Sequence, residues 1–381
     1  MTVFVRELSG LAEPGGGPHR CKIVSNRGAH AELAPMPENG RVTPSDDAPG
    51  RRVAVLGAGS WGTTFAKILA DGGVSVALWA RRPELAREIS ESKRNSDYLP
   101  GINLPRSLWA SPQLPEVLDG VEQVYLSVPS QSLRENLRIV RELIPPGAIV
   151  VSLMKGVEKG TGARMSEVIR QELGLDADRI AVVSGPNLAL EIAKEQPTAA
   201  VVSSESLETA TTVARTATNR YFRSFVNTDV VGTEFGGVLK NLIAVAIGIV
   251  DGVGYGENTK ASIITRGLAE MTDFAVAYGG RAETLAGLAG LGDLIATCES
   301  SLSRNNTAGR LLGQGYSYSE VIKQMNQTAE GLSSVTPVLE LALAKGVEMP
   351  IVSQVAEVLA GTLNPREIAP HLTTDEFPQG E

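Results

Sequence analysis

One short stretch constrains this chain more than any other: Gly57-Ala58-Gly59-Ser60-Trp61-Gly62. It follows an apolar run, Val53 to Leu56, and leads into Thr63-Thr64-Phe65-Ala66-Lys67-Ile68-Leu69, which reads as the opening of a helix. Glycines at this spacing recur by chance in a chain that holds 40 of them, so the strand-turn-helix setting carries the reading rather than the glycines alone. In that setting Gly57 makes the tight turn and Gly59 lets a pyrophosphate approach the backbone. Gly62 lets the helix pack closely on the strand, with the positive end of the helix facing the phosphates. A glycine-rich structural turn is the alternative.

From Arg52 onward short β-branched runs alternate with helical stretches, the order of a parallel sheet with crossover helices. The predicted strands are Val53 to Leu56, Val74 to Trp79, Val124 to Val128, Ile149 to Leu153 and Ile180 to Ser184, with Ala199 to Ser203 and Phe222 to Asn227 extending the sheet. Most are continuous apolar runs, as strands covered on both faces must be. After about Thr233 long helical patterns rich in Leu, Ile, Val and Ala take over. The expected fold is α/β, a Rossmann-type doubly wound sheet followed by an all-helical C-terminal domain. The expected organisation is a flexible tail over 1–50, a nucleotide-binding domain over 51–232, a helical substrate-binding domain over 233–364 and a second loose tail over 365–381. Met36, inside the Gly- and Pro-rich first tail, offers an alternative start.

Composition narrows the function. With 43% hydrophobic and 20% charged residues the body is expected to fold, and at 381 residues it has room for two cores. A formal net charge of −8 without a basic run gives no footprint for a nucleic-acid backbone or an anionic membrane surface. The longest apolar run, Leu242 to Val250, is far shorter than the roughly 18 to 20 residues that cross a bilayer, and reads as a buried helix. Cys21 and Cys298 provide neither a disulfide framework nor a zinc motif, and the N-terminus lacks the apolar stretch of a secretory signal, so a cytoplasmic location is expected. His19, His30 and His371 all lie near the termini, which turns the search for a general base toward lysine, carboxylate or tyrosine.

In open α/β sheets ligands bind outside the carboxyl ends of the strands, and that rule ranks the candidates. The second strand ends in Arg81 and Arg82 where an acidic residue would read the ribose hydroxyl of NAD. Guanidinium groups there suit the 2′-phosphate of NADP, so NADPH is slightly favoured over NADH, unless both arginines are simply solvated. Lys155 follows a buried strand, and Gly185-Pro186-Asn187 ends the next, either as a plain turn or as a set of polar contacts. Lys240 lies in the most apolar helix, where a charge needs a partner or a purpose, so it is the strongest candidate for a base, with Lys155 as the neighbouring cation that would lower its pKa. Asp293 is a carboxylate among apolar residues. Ser303-Arg304-Asn305 reads either as an anion site at a helix start or as an ordinary N-cap.

Together these residues resemble the bacterial NAD(P)-dependent glycerol-3-phosphate dehydrogenases. The resemblance runs from about Arg51 to about Pro365 and rests on the glycine loop, Met154-Lys155-Gly156, Ser184-Gly185-Pro186-Asn187, Leu239-Lys240-Asn241 and Asn258-Thr259-Lys260. It continues through Ile264-Thr265-Arg266-Gly267, Gly290-Leu291-Gly292-Asp293-Leu294, Ser303-Arg304-Asn305 and Glu330-Gly331. It implies hydride transfer between NAD(P)H and dihydroxyacetone phosphate, supplying glycerol 3-phosphate for phospholipid synthesis, in a homodimer. By the same resemblance Lys240 handles the proton, Lys155 contacts cofactor and substrate, and Asp293 helps to orient the lysine and the substrate. Gly185, Asn187, Ser303, Arg304 and Asn305 would hold the substrate. Ser60, Trp61, Arg81, Arg82, Ala189, Arg304 and Glu330 would line the cofactor site. Position 187 is Asn where many members have Thr or Ser, and Thr328 stands where an apolar residue is common. The rival readings are another two-domain reductase with a catalytic lysine, of the hydroxyacid or ketopantoate type, and a non-catalytic nucleotide-binding regulator. The presence of both Lys155 and Lys240 argues against the regulator. The apolar helix after Lys240 could bury against a second subunit.

Overall fold

The computed structural model describes residues 51–300, 302–325 and 329–368. Met36, Cys21, the three histidines and Thr328 lie outside the described residues, as do most of the two expected tails.

Eight strands form one sheet: β1 (Arg52–Leu56), β2 (Ser75–Trp79), β3 (Leu108–Ser111), β4 (Gln123–Leu126), β5 (Ile149–Ser152), β6 (Ile180–Ser184), β7 (Thr198–Ser203) and β8 (Phe222–Asn227). Their order is β3-β2-β1-β4-β5-β6-β7-β8. The chain winds outward from β1 in both directions, so the connections leaving β1 and β4 diverge and open a crevice at the strand ends, where the glycine loop stands. Strands β1, β4 and β6 are buried along almost their whole length, in keeping with helices on both faces.

Two features depart from the expected sheet. Strand β3 was not anticipated: Leu108-Trp109-Ala110-Ser111 is four residues long, sits at the edge and is closed by Pro112, which leaves too little pattern to read. The sheet is also not wholly parallel, because β6 and β7 pair antiparallel, with Val182 opposite Ser203 and Ser184 opposite Val201. The connection between them holds only the five-residue helix Ala189–Ala193. Such a helix rises about 7.5 Å, half of what is needed to carry the chain back along a five-residue strand. The chain therefore re-enters at the same end. Strand β8 then runs parallel to β7 as the edge strand, its last residue Asn227 paired with Ser203.

There the 24-residue helix Val230–Val253 begins, capped by the Asp229 side chain, which accepts from the Gly232 amide. It starts three residues before the expected onset of the helical region. By length and hydropathy it could cross a membrane, but 83% of its most apolar stretch is buried inside this protein, as expected of a core helix that is apolar all round. The cover comes from the chain's own helices, among them Glu257–Ala277, Asp293–Glu299, Arg304–Gly313 and Glu330–Lys345.

The helix climbs along the sheet in measurable steps. The Thr233 hydroxyl is 2.6 Å from that of Ser203, and one turn later Gly237 reaches the level of Ser184 and Lys155. A Cβ on Gly237 would stand 2.8 Å from Ser184 Oγ and 3.2 Å from Lys155 Cγ. Lys240 follows within another turn. Farther along, the helix crosses Arg304–Gly313 backbone to backbone. Cβ atoms added at Gly248 and Gly252 would lie 2.1 Å from Asn306 O and 2.2 Å from Arg310 O, and at Gly309 and Gly313 2.1 Å from Val245 O and 2.2 Å from Ile249 O. This crossing holds Arg304 and Asn305 close to the helix that carries Lys240.

Candidate active site

The glycine loop has the geometry its spacing demands. Gly57 has φ +118°, and a Cβ there would meet Ser127 O at 2.3 Å. One on Gly62 would meet Gly57 O at 1.9 Å. Above Gly59 nothing lies within 4 Å of the Cβ position, so the approach to the N-terminus of the helix Ser60–Asp71 is open. That helix has neither a side-chain cap nor an acidic residue in its first turn, which leaves its first amides available to an anion. These features fit a dinucleotide pyrophosphate. Trp61 ties the loop to the end of β5 by donating from Nε1 to Leu153 O at 3.2 Å. Ala189 lies against the same helix, its carbonyl accepting from Thr64 Oγ1.

Asn95, which sequence reasoning missed, braces the loop. Its buried Nδ2 donates to Ala58 O at 3.0 Å and to Thr63 Oγ1 at 2.8 Å. Arg81 and Arg82 follow β2 and are exposed, and Arg82 pairs with Asp97 at 2.5 Å.

At the ends of β5 and β6 the structure gathers Lys155, Gly185, Lys240 and Asp293. Asp293, whose side chain is only 2% exposed, accepts from both lysines: Lys240 Nζ reaches Oδ1 at 2.8 Å and Lys155 Nζ reaches Oδ2 at 2.5 Å. Lys155 also donates to Gly185 O at 3.0 Å, and Lys240 to Thr297 Oγ1 at 2.5 Å. Two ammonium groups therefore share one carboxylate and leave one net positive charge among buried groups. Burial lowers the Lys155 ammonium to about 8, with the Lys240 charge adding to the fall and Asp293 opposing it.

Around this cluster lie polar atoms of two kinds. Some are satisfied. Asn305 Nδ2 donates to Asn241 Oδ1 at 2.8 Å while its Oδ1 accepts from the Gly331 amide at 3.0 Å, which fixes the side chain. Ser303 is the N-cap of the helix Arg304–Gly313, its Oγ accepting from the Asn306 amide, so the capping reading holds for its acceptor. Others are orphaned: Asn187 Oδ1 and Nδ2 and Ser184 Oγ are buried without a partner among the described residues. Buried polar atoms are seldom left so unless something else completes them. They lie at or just past the end of β6, where a bound polar molecule would supply the missing partners. Glu330 begins the helix Glu330–Lys345, and burial raises its carboxyl while Arg304, Lys155 and Lys240 pull it down, which places it within electrostatic reach of all three.

Thr297 was also missed, although its signal was present: it lies four residues after Asp293, on the same helix face.

A pyrophosphate-ready loop on a doubly wound sheet, facing a buried lysine-carboxylate cluster on a helical layer, defines the class: a nucleotide-dependent oxidoreductase. Residues 52–210 match the model for the NAD-dependent glycerol-3-phosphate dehydrogenase N-terminus, and residues 229–370 that for its C-terminus. The chain belongs to the NAD-dependent glycerol-3-phosphate dehydrogenase family. It is 76% identical over 327 residues to glycerol-3-phosphate dehydrogenase (NAD(P)+) of Leifsonia xyli, covering 86% of this chain and 89% of the relative. The enzyme of that name from Thermobifida fusca is 52% identical over 317 residues, 83% and 94% of the two chains. The crystal structure of glycerol-3-phosphate dehydrogenase from Coxiella burnetii superposes with a TM-score of 0.80 at 37% identity, over 85% of this chain and 99% of that one. The hydroxyacid or ketopantoate alternative is not favoured.

Proposed function

We propose that this protein catalyses reversible hydride transfer between NAD(P)H and dihydroxyacetone phosphate, yielding sn-glycerol 3-phosphate for phospholipid synthesis. One observation carries the reading: Lys240 and Lys155 share Asp293 at the strand ends, beside the unpartnered amide of Asn187. The bound nicotinamide supplies the hydride. Lys240 gives a proton to the C2 oxygen during reduction and takes it back during oxidation. Lys155 stabilises negative charge as it develops on the same oxygen, an electrostatic effect that is strong where water is excluded. Asp293 fixes both ammonium groups.

Gly185, Asn187, Ser303, Arg304 and Asn305 complete the substrate site. Arg304 supplies charge for the substrate phosphate at the start of its helix. On the cofactor side Gly57, Gly59, Ser60, Trp61, Gly62, Lys155, Ala189, Arg304 and Glu330 line the cleft, and Arg81 and Arg82 receive a 2′-phosphate, so NADPH is somewhat preferred to NADH. The sheet region binds nucleotide and the helical region binds substrate. The family resemblance further supports a cytoplasmic homodimer.

The test is a substrate profile of the purified protein, following NADPH oxidation with dihydroxyacetone phosphate, ketopantoate and simple 2-oxo acids. Turnover of dihydroxyacetone phosphate alone is expected; turnover confined to the other substrates defeats the proposal.

A further inference from the structure

The segment Asn95 to Tyr98 belongs to no strand, yet it is stitched to the glycine loop. Asn95 Nδ2 donates to Ala58 O and Thr63 Oγ1, Asn95 Oδ1 accepts from the Tyr98 amide at 3.2 Å, and Tyr98 O accepts from Ser60 Oγ at 2.8 Å. These bonds hold two side chains against Arg82. The Asp97 carboxylate receives its Nη2 at 2.5 Å, and the Tyr98 ring lies under the guanidinium, 5.8 Å from centroid to Cζ. The pair is half exposed, 51% for Arg82 and 55% for Asp97, so it faces the solvent from which a nucleotide arrives.

The end of the second strand is where this fold reads the ribose 2′ position. A guanidinium fork can grip a carboxylate or a phosphate, and while it is engaged with one its donors are withheld from the other. We propose that Asp97 is an internal competitor for Arg82, holding it when no 2′-phosphate is present and so narrowing the preference for NADP over NAD. With the carboxylate satisfying Arg82 when NAD binds, one site accepts both nucleotides. The inference rests on the reading of Arg82 as a 2′-phosphate ligand. It adds a determinant that lies 15 residues after the arginine, in the loop stitched to the glycine turn.

The experiment uses the full-length protein and calorimetric titration with 2′,5′-ADP and with ADP, which report the 2′-phosphate without turnover. Asp97→Asn should raise the affinity ratio of 2′,5′-ADP to ADP about three- to five-fold, the upper part of what an exposed ion pair contributes, and the gain should shrink in high salt. An unchanged or lowered ratio overturns the proposal, a lowered one meaning that Asp97 presents Arg82 to the phosphate. Arg82→Gln on its own should lower the ratio; if it does not, the reading of Arg82 fails, independently of Asp97. In the Arg82→Gln background the Asp97→Asn gain should vanish. If it persists, the carboxylate acts by repelling the phosphate directly, and competition for Arg82 is excluded.

Discussion

Thr297 lies one helical turn beyond Asp293, and its hydroxyl, 3.3 Å from Asp293 Oδ1, accepts a hydrogen bond from the Lys240 ammonium that the same carboxylate holds. Lys240 is thus aimed from two points on one helix. Thr297→Val removes one of them while keeping the shape. A hydrogen bond to a charged group is worth about 1.5–3 kcal/mol, so kcat should fall roughly ten- to a hundred-fold. The dissociation constant for NADPH should not move, and Thr297→Ser should restore most of the rate. A loss of nucleotide affinity equal to the loss of rate would show a general disturbance instead.

Lys240→Ala removes the proposed proton donor but leaves Asp293 paired with Lys155. Proton transfer by a positioned group contributes about 10²- to 10⁴-fold, and kcat should drop by that much with nucleotide binding intact. Steady-state rates together with fluorescence titration of NADPH decide it; an ordinary turnover number would remove Lys240 from the mechanism.

The Lys155 ammonium, lowered to about 8, gives the reaction a pH signature. Below that value it is a cation and assists reduction of the ketone; above it the neutral amine cannot. The kcat/KM for dihydroxyacetone phosphate should therefore decline as pH rises through about 8. In Lys155→Arg, whose charge persists across this range, that decline should disappear even if the rate is lower.

Far from the cleft, Glu270 in the helix Glu257–Ala277 accepts from the Ile351 amide at the start of the helix Pro350–Ala360, while its second oxygen has no partner among the described residues. Burial raises its carboxyl from 4.5 to about 7. Between those values the folded protein keeps a proton that the unfolded chain has released, so stability falls as pH rises through this window. Glu270→Gln keeps the acceptor and cannot ionise. Urea unfolding should find the variant close to the parent near pH 5 and more stable at pH 8, by at most about 3 kcal/mol. Equal stability at both pH values would contradict this.

What could be read in the chain before its structure, and what could not, divides along physical lines. The glycine loop was legible because its demands are steric and local: no Cβ fits at Gly57 or Gly62. Lys240 was legible because a charge in an apolar helix has few reasons to be there. Asp293 and Lys155 were legible as candidates, but the shared carboxylate was not, since 138 residues separate them. Strand β3 was too short to show a period, and the β6–β7 reversal depends on how far a five-residue helix can carry the chain. Asn95 and Asp97 left no trace, because polar residues in a loop look alike until their partners are known.

That reversal makes a measuring rod of the helix Val230–Val253. Because the helix passes Ser203 at Thr233 and Ser184 at Gly237, the height of Lys240 above Thr233 is a count of residues, and its bearing a sum of angles. Each residue adds about 1.5 Å and 100°. A single residue inserted between Thr233 and Gly237 would leave the composition and burial of the helix almost untouched while turning Lys240 out of phase with Asp293. The station of Lys240 is therefore set by how many residues precede it in the helix.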